Sequence, residues 1–365
     1  MKVLHVEAGR NLYGGAQQVL YLLQGLHKRG IENVLACPRG SDLSRAAAPF
    51  ARVYSIPMYG DMDFSMTLRL YRLMRRERPD LVHLHSRIGA DVMGGIAARL
   101  SRVPVVYSRR QDNPEPRFAV ALKYRLHDRV IAISEGIAQV KLAEGMPAKK
   151  LRVVRSVVDT SAYQHAAEPE WLRAEFGLPH DARVIGVVAQ LIERKGHLVL
   201  IEALPGLLER FPTLRVLFFG KGPLEARLGE VVRARGLQDV VQLAGFRKDL
   251  PRILPCLDLL VHPAYREGLG VSLLQASAAG VPIVACRAGG IPEAVRDGVN
   301  GLLVPPGDVQ ALKDAIARLL DDRELAQRLG QGGRDLVACE FSLDSMVEGN
   351  LAVYREVLAE RARTA

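Results

Sequence analysis

Strand and helix signals alternate twice along the 365 residues, which predicts an α/β protein of two Rossmann-like domains with parallel sheets. Three observations carry that expectation. Short apolar runs of strand length recur between amphipathic stretches. The series restarts after a proline-bearing segment near the middle. The length suffices for two cores of ordinary domain size without metal or disulfide support.

In the first half the strand-like runs are residues 3–6, 34–36, 81–84, 103–107 and 130–133. Stretches with helical spacing separate them, as crossover connections between parallel strands require. Residues 161–179 lack strand periodicity and contain Glu168, Pro169 and Pro179, so they read as the connection, with a boundary near residue 165. The second half repeats the pattern at 184–189, 214–219, 240–243, 257–261, 283–285 and 302–304. The expected domains are therefore 1–165 and 166–344. A last helix, about 345–365, has apolar positions at Met346, Leu351, Val353, Tyr354 and Leu358 for packing back on the first domain.

With 48% apolar and 25% charged residues, the composition excludes a disordered or collagenous chain. Cys37, Cys256, Cys286 and Cys339 lie far apart and read as reduced thiols. No apolar run reaches the length of a membrane helix, and the N-terminus lacks signal-peptide features, so a cytoplasmic protein is expected. The charge is lopsided. Residues 1–180 hold 27 of the 50 basic and 17 of the 40 acidic residues, so the whole excess of +10 lies in the first half. Such a field attracts anionic partners. Nucleic acid is not expected, because no aromatic platforms interleave with the basic residues.

In open parallel sheets ligands bind beyond the carboxyl ends of the strands, so the loops after strands hold the candidate site. The densest motif is Arg266-Glu267-Gly268-Leu269-Gly270-Val271, opening a helix rich in small residues that runs on through Gln275. A glycine-flanked helix start leaves backbone N–H groups and the positive end of the helix dipole for a phosphate. Arg194-Lys195-Gly196 follows another strand, with two cations suited to a diphosphate. Gly14-Gly15 and Gly220-Lys221-Gly222-Pro223 are further glycine turns after strands. The former lacks the third glycine of the dinucleotide fingerprint, which argues against a nicotinamide enzyme. Asp61-Met62-Asp63 has the look of a metal-binding pair, but its place after Pro57 and Gly60 argues for a loop.

Order and spacing of these motifs, together with Ile133-Ser134-Glu135, Gly289-Gly290-Ile291-Pro292-Glu293 and Asp297-Gly298-Val299-Asn300-Gly301, resemble retaining glycosyltransferases of family 4. The resemblance implies the GT-B fold, its two sheets facing a central cleft, and a nucleotide-sugar donor, UDP-linked as the first expectation. It also implies a glycan or glycolipid acceptor of the lipopolysaccharide-core kind, and neither metal nor cofactor. Carried over, Arg194 and Lys195 contact the donor diphosphate and Glu267 the donor sugar. Leu269, Gly270 and Val271 supply amides; Gly14, Gly15 and Gly220 line the donor; His85 lies near the reacting sugar carbon. His83 is expected in the core, on the opposite side of its strand. Arg109, Arg110 and Arg117, around the loop 111–116, are expected to grip an anionic acceptor. Arg69, Arg72, Arg75 and Arg76 are expected on a helix face that meets an anionic inner-membrane surface.

The chain departs from the family pattern in three places. Gln275 stands where a second Glu accepts hydrogen bonds from the nucleotide ribose, which opens the alternative of a non-catalytic nucleotide-sugar-binding subunit. Ser156-Val157 replaces Asn-Gly, and Leu269 replaces an aromatic residue.

Overall fold

The computed structural model describes residues 1–87 and 89–364. It divides into two compact units, Met1–Ser156 with Leu343–Ala365, and Val157–Ser342, so the division falls ahead of the boundary expected at 165.

The first unit holds β1 (Lys2–Val6), β2 (Glu32–Cys37), β3 (Arg52–Ser55), β4 (Leu81–Leu84), β5 (Val105–Arg109), β6 (Arg129–Ala132) and β7 (Leu151–Val153). They form a sheet of order β3-β2-β1-β4-β5-β6-β7, parallel throughout. The order reverses between β1 and β4, where His5 lies opposite His83. Two edge strands, β3 and β7, are absent from the sequence reading. Each is short and carries an arginine, Arg52 or Arg152, as edge strands commonly do. β5 is displaced two residues toward the C-terminus from its expected span, which makes Arg109 a strand residue.

Helix Phe64–Glu77 buries Met66, Leu70, Leu73 and Met74 at three- and four-residue spacing. Asp63 caps it, accepting from the Met66 amide at 3.1 Å and from the Ser65 hydroxyl at 2.6 Å, and also pairs with Arg69. That commitment gives Asp63 a structural role at the start of the helix. The C-terminal helix, Leu343–Thr364, buries Met346, Val347, Leu351, Val353, Tyr354 and Val357 on the first unit. It packs on helix Gly14–Lys28 at Gly25, where a Cβ would come within 2.3 Å of Val347 Cγ2. Only glycine fits there.

The second unit holds β8 (Arg183–Val188), β9 (Leu214–Phe219), β10 (Val241–Gly245), β11 (Leu259–His262), β12 (Ile283–Cys286) and β13 (Gly301–Val304). Its sheet order is β10-β9-β8-β11-β12-β13, again parallel, and it reverses between β8 and β11. Helix Val271–Ala279 follows β11. Its small residues meet helix Arg323–Glu340, where a Cβ on Gly333 would lie 3.1 Å from the Ser277 Cα.

Candidate functional site

Each sheet changes direction at one point, and a parallel sheet opens a crevice there because adjacent connections depart to opposite faces. In the second unit the loops meeting at that point are 189–196, after β8, and 263–270, after β11. They are stitched together by backbone. The Tyr265 amide donates to the Arg194 carbonyl at 2.9 Å. Gly196, at φ +70°, lies so close to the Pro263 carbonyl that a Cβ would stand 1.9 Å from its oxygen.

That seam brings Lys195 and Glu267 into contact. The buried Lys195 ammonium bonds the Glu267 carboxylate. His262, the last residue of β11, places Nε2 3.0 Å from the same oxygen, and the Gly268 amide donates to the other at 3.0 Å. A carboxylate only accepts, so His262 carries its proton on Nε2. Burial pushes the Glu267 carboxyl up, but the hydrogen bond from His262 and the charge of Lys195 outweigh it, leaving the group well below the ordinary carboxylate range. Burial pushes the His262 imidazole down, so it stays neutral.

The Glu267 backbone is held as firmly as its side chain. The Gly290 amide donates to its carbonyl at 2.9 Å, and a Cβ on Gly289, at φ +54°, would lie 2.2 Å from the same oxygen. Helix Val271–Ala279 starts three residues after Glu267's neighbour Gly268, its N-cap is Gly270 with φ +89°, and among the described residues no side chain caps it. Its first amides are thus available to a ligand. Gln275, half-buried, is one turn beyond Val271 on the same face. Leu269 is buried. Gly220 is explained by packing: a Cβ there would lie 1.9 Å from the Ala189 carbonyl oxygen.

In the first unit the corresponding point lies between β1, ending before Glu7, and β4, ending before His85 and Ser86. The Ala8 amide donates to Ser86 Oγ at 2.8 Å, tying the two strand ends together. His85 is buried, with Nε2 3.0 Å from Nδ1 of His5. His83 corrects an expectation. Its ring centroid is 3.8 Å from that of His85, on the same side, because residues two apart in a strand share a face. It is nonetheless a core group, bonded to the Tyr354 hydroxyl at 2.5 Å and to Ser108 Oγ at 2.8 Å.

The three arginines expected to grip an acceptor separate. Arg109 turns inward. It is 1% exposed, donates to the carbonyls of Gln111 and Asn113, and pairs with Glu115. It therefore holds the loop 111–116 in shape, turned away from solvent. Arg110 lies over the start of helix Gly14–Lys28, where a Cβ on Gly15 would be 3.6 Å from Arg110 Cδ, and it donates to Ser156 Oγ at 3.4 Å. Its charge opposes the upward push that burial gives the Glu7 carboxyl. A Cβ on Gly14 would meet nothing within 4 Å, so open space lies in front of that turn. Arg117 is exposed.

His262, His5 and Glu7 escaped the sequence reading. Each is a polar residue at or near the end of a strand that sits beside a direction change, a signal that requires the strand order.

The sequence profile of Glycosyl transferases group 1 matches residues 170–336, and that of Glycosyltransferase Family 4 matches residues 13–162. The chain is 26% identical to the lipopolysaccharide core biosynthesis glycosyltransferase LpsE of Rhizobium meliloti, over 99% of this chain and 100% of that one. It is 31% identical to 2-deoxystreptamine glucosyltransferase of Streptomyces kanamyceticus, over 79% and 80% of the two chains. The crystal structure of Anabaena HepE in complex with UDP and glucose superimposes with a TM-score of 0.85 at 21% identity, covering 97% of this chain and 99% of that one. With the parallel sheets, the glycine-braced loops and both profiles in agreement, the chain belongs to the group 1, family 4 glycosyltransferases of GT-B fold.

Proposed function

We propose that the protein transfers a sugar from a nucleotide-sugar donor to a hydroxyl of a glycan or glycolipid, with retention at the anomeric carbon and without a metal ion. The observation that carries this reading is the Lys195–Glu267–His262 cluster beside the open start of helix Val271–Ala279. Departure of a nucleoside diphosphate develops negative charge. Lys195, Arg194 and the helix-start amides of Gly270 and Val271 are fixed positive groups suited to it. Glu267, held from behind by His262 and Gly268, accepts hydrogen bonds from donor-sugar hydroxyls. Gln275 accepts from the ribose, with about 0.5–1.5 kcal/mol for a neutral bond against about 1.5–3 kcal/mol for the charged one a Glu would make. In the first unit His85 serves the reacting sugar, the glycine turn at Gly14 and Gly15 leaves room for it, and Arg110 and Arg117 attract an anionic acceptor. The departing phosphate oxygen takes the acceptor proton.

The UDP bound to HepE supports a uridine diphosphate sugar, and the name of LpsE supports an acceptor of the lipopolysaccharide-core kind. Among the described residues no helix is long and apolar enough to cross a membrane. Attachment to the inner face of the cytoplasmic membrane is supported by a surface of exposed Tyr59, Met62, Phe64 and Leu68 beside Arg72, Arg75 and Arg76. Arg69 pairs with Asp63 and lies over the Tyr59 ring at 5.7 Å.

A thermal-shift panel of UDP-, GDP- and ADP-sugars with EDTA present tests the donor reading. A ligand at 100 times its Kd stabilises the protein by about 2.7 kcal/mol. One nucleotide class should shift the wild type, and Arg194→Ala and Lys195→Ala should abolish the shift. No shift with any nucleotide sugar, or a shift untouched by both substitutions, would refute the assignment.

A further inference from the structure

One side chain of the C-terminal helix, Leu343–Thr364, reaches the buried histidines at the direction change of the first sheet. Tyr354 is fully buried, and its hydroxyl lies 2.5 Å from Nδ1 of His83. Ser108 Oγ, on β5, lies 2.8 Å from Nε2 of the same ring. A neutral imidazole has one donor and one acceptor nitrogen, and a hydroxyl can take either part, so the two hydroxyls satisfy His83 in both tautomers. The His83 ring is thus held at both nitrogens. The Tyr354 ring also meets it edge-on, with 5.5 Å between centroids.

His83 in turn packs against His85. Their ring centroids are 3.8 Å apart, with the planes tilted by 39°. His5 faces His85 as well, its ring stacked at 5.3 Å and its Nδ1 3.0 Å from His85 Nε2. Nδ1 of His85 is left as the nitrogen of that ring with no protein partner among the described residues. In a close-packed interior a ring can turn only if its neighbours give way, so whatever holds His83 also holds His85.

Tyr354 is itself fixed from outside this cluster. On one side of it in the helix, Glu348 accepts from Arg29 at 2.7 Å. On the other, Glu356 accepts from Arg129 and from Arg152, each at 2.9 Å. Gly349 lets the helix lie close to β7 and the residue after it, since a Cβ there would stand 2.9 Å from a methyl of Val154. These contacts set the register of the helix on the first unit, and that register brings the phenol to His83.

We infer that Tyr354 is a positioning residue for the first-unit site: by fixing His83 it keeps the His85 ring in the orientation from which it serves the reacting sugar. The positioning follows from the contacts of the three side chains, while the part His85 plays in transfer rests on the function proposed above.

Tyr354→Phe removes the hydroxyl and keeps the ring, and proton–carbon correlation spectra of the histidine rings in the full chain read the consequence. The His83 and His85 signals should move, and those of His197 and His262, in the second unit, should not. In transfer assays kcat should fall about tenfold, the worth of one hydrogen bond, while the donor KM stays within about twofold. Tyr354→Phe added to His83→Phe should lower kcat no further, because the hydroxyl acts through the imidazole. A His85 signal that stays in place, an unchanged kcat, or the same loss with and without His83 would overturn the inference. If Tyr354→Phe fails to fold, Ser108→Ala, which removes the hydroxyl at the other nitrogen, should move the same two signals and lower kcat alike; an unmoved His85 signal there would overturn the inference equally. A wild type that transfers no sugar from any nucleotide sugar would end the function proposed above and leave the spectra to decide the positioning.

Discussion

The contact between Lys195 and Glu267 can be separated into what it does for the fold and what it does for the ligand. Lys195 is 6% exposed, and Glu267 is its partner, so Glu267→Gln leaves a buried ammonium facing a neutral amide. Breaking a buried pair from one side costs about 3–5 kcal/mol. Lys195→Met should fall at the lower end of that range, because His262 and the Gly268 amide still bond the carboxylate that remains. The double variant Lys195→Met, Glu267→Gln buries no unpaired charge. It should return to within about 1–2 kcal/mol of the wild type, so that the two substitutions couple by at least about 3 kcal/mol. The chain offers its own probe for the second unit, since its one tryptophan, Trp171, lies there, packed beneath the Arg252 guanidinium at 3.9 Å. Urea unfolding followed by Trp171 fluorescence at pH 7.5 gives all four free energies. Donor binding and turnover should be lost in the double variant although its stability is restored. Single losses below about 1 kcal/mol, or losses that simply add, would show that the pair is not the desolvated contact drawn here.

Acid should destabilise the protein through its buried histidines. His5 and His127 are depressed to about 3 and His197 to about 4, so the unfolded chain takes up their protons below pH 6.5 and the folded chain does not. Stability is therefore full above that pH and falls as the pH drops toward the folded values, by about 2 kcal/mol per group between pH 7.5 and 5. Trp171-monitored unfolding should register at least the His197 share, and a flat profile would contradict the burial. Gln275→Glu should tighten donor binding by about 1 kcal/mol, readable by calorimetry. Gly289→Ala forces a Cβ to 2.2 Å from the Glu267 carbonyl oxygen at a positive φ, and should cost about 1–3 kcal/mol and depress turnover. Leu68→Asp with Arg72→Glu should abolish co-sedimentation with vesicles containing anionic lipid while leaving transfer to a soluble acceptor unchanged.

How much of this was legible in the sequence depends on how far apart the determinants lie. The strand–loop–helix units of the second half were legible because apolar runs, glycine turns and a small-residue helix are local signals. Lys195 and Glu267 were both found, each by its own motif. That they touch was not, because 72 residues separate them and only the adjacency of β8 and β11 brings them together. Arg109 shows the opposite failure. A basic residue at the end of a strand reads as a ligand contact, yet Glu115 and the carbonyls of its own loop draw it inside. Local charge cannot reveal this, since it depends on whether the loop folds back. His83 was misplaced by an error of period, and His5 by the same dependence on strand order that hid the salt bridge.

The glycines join these two levels. At Gly196 and Gly289 the absent side chain is required by a neighbouring loop's carbonyl, not by a ligand, and at Gly220 the same crowding holds. Loops leaving adjacent parallel strands pass at close range, those after β8 and β11 at the direction change and those after β11 and β12 or β8 and β9 beside it, and backbone can cross backbone only without a Cβ. The crossing holds Lys195, Glu267 and the helix start at Gly270 in one small region before any ligand arrives, which is the preorganisation that charge stabilisation during sugar transfer demands. Gly14 differs, because space in front of it is open, and a Cβ there would meet no neighbouring atom. A glycine-rich motif in this fold therefore carries two kinds of position, one set by the crossing of chains and one by what lies beyond them, and a Cβ built on each backbone separates the two.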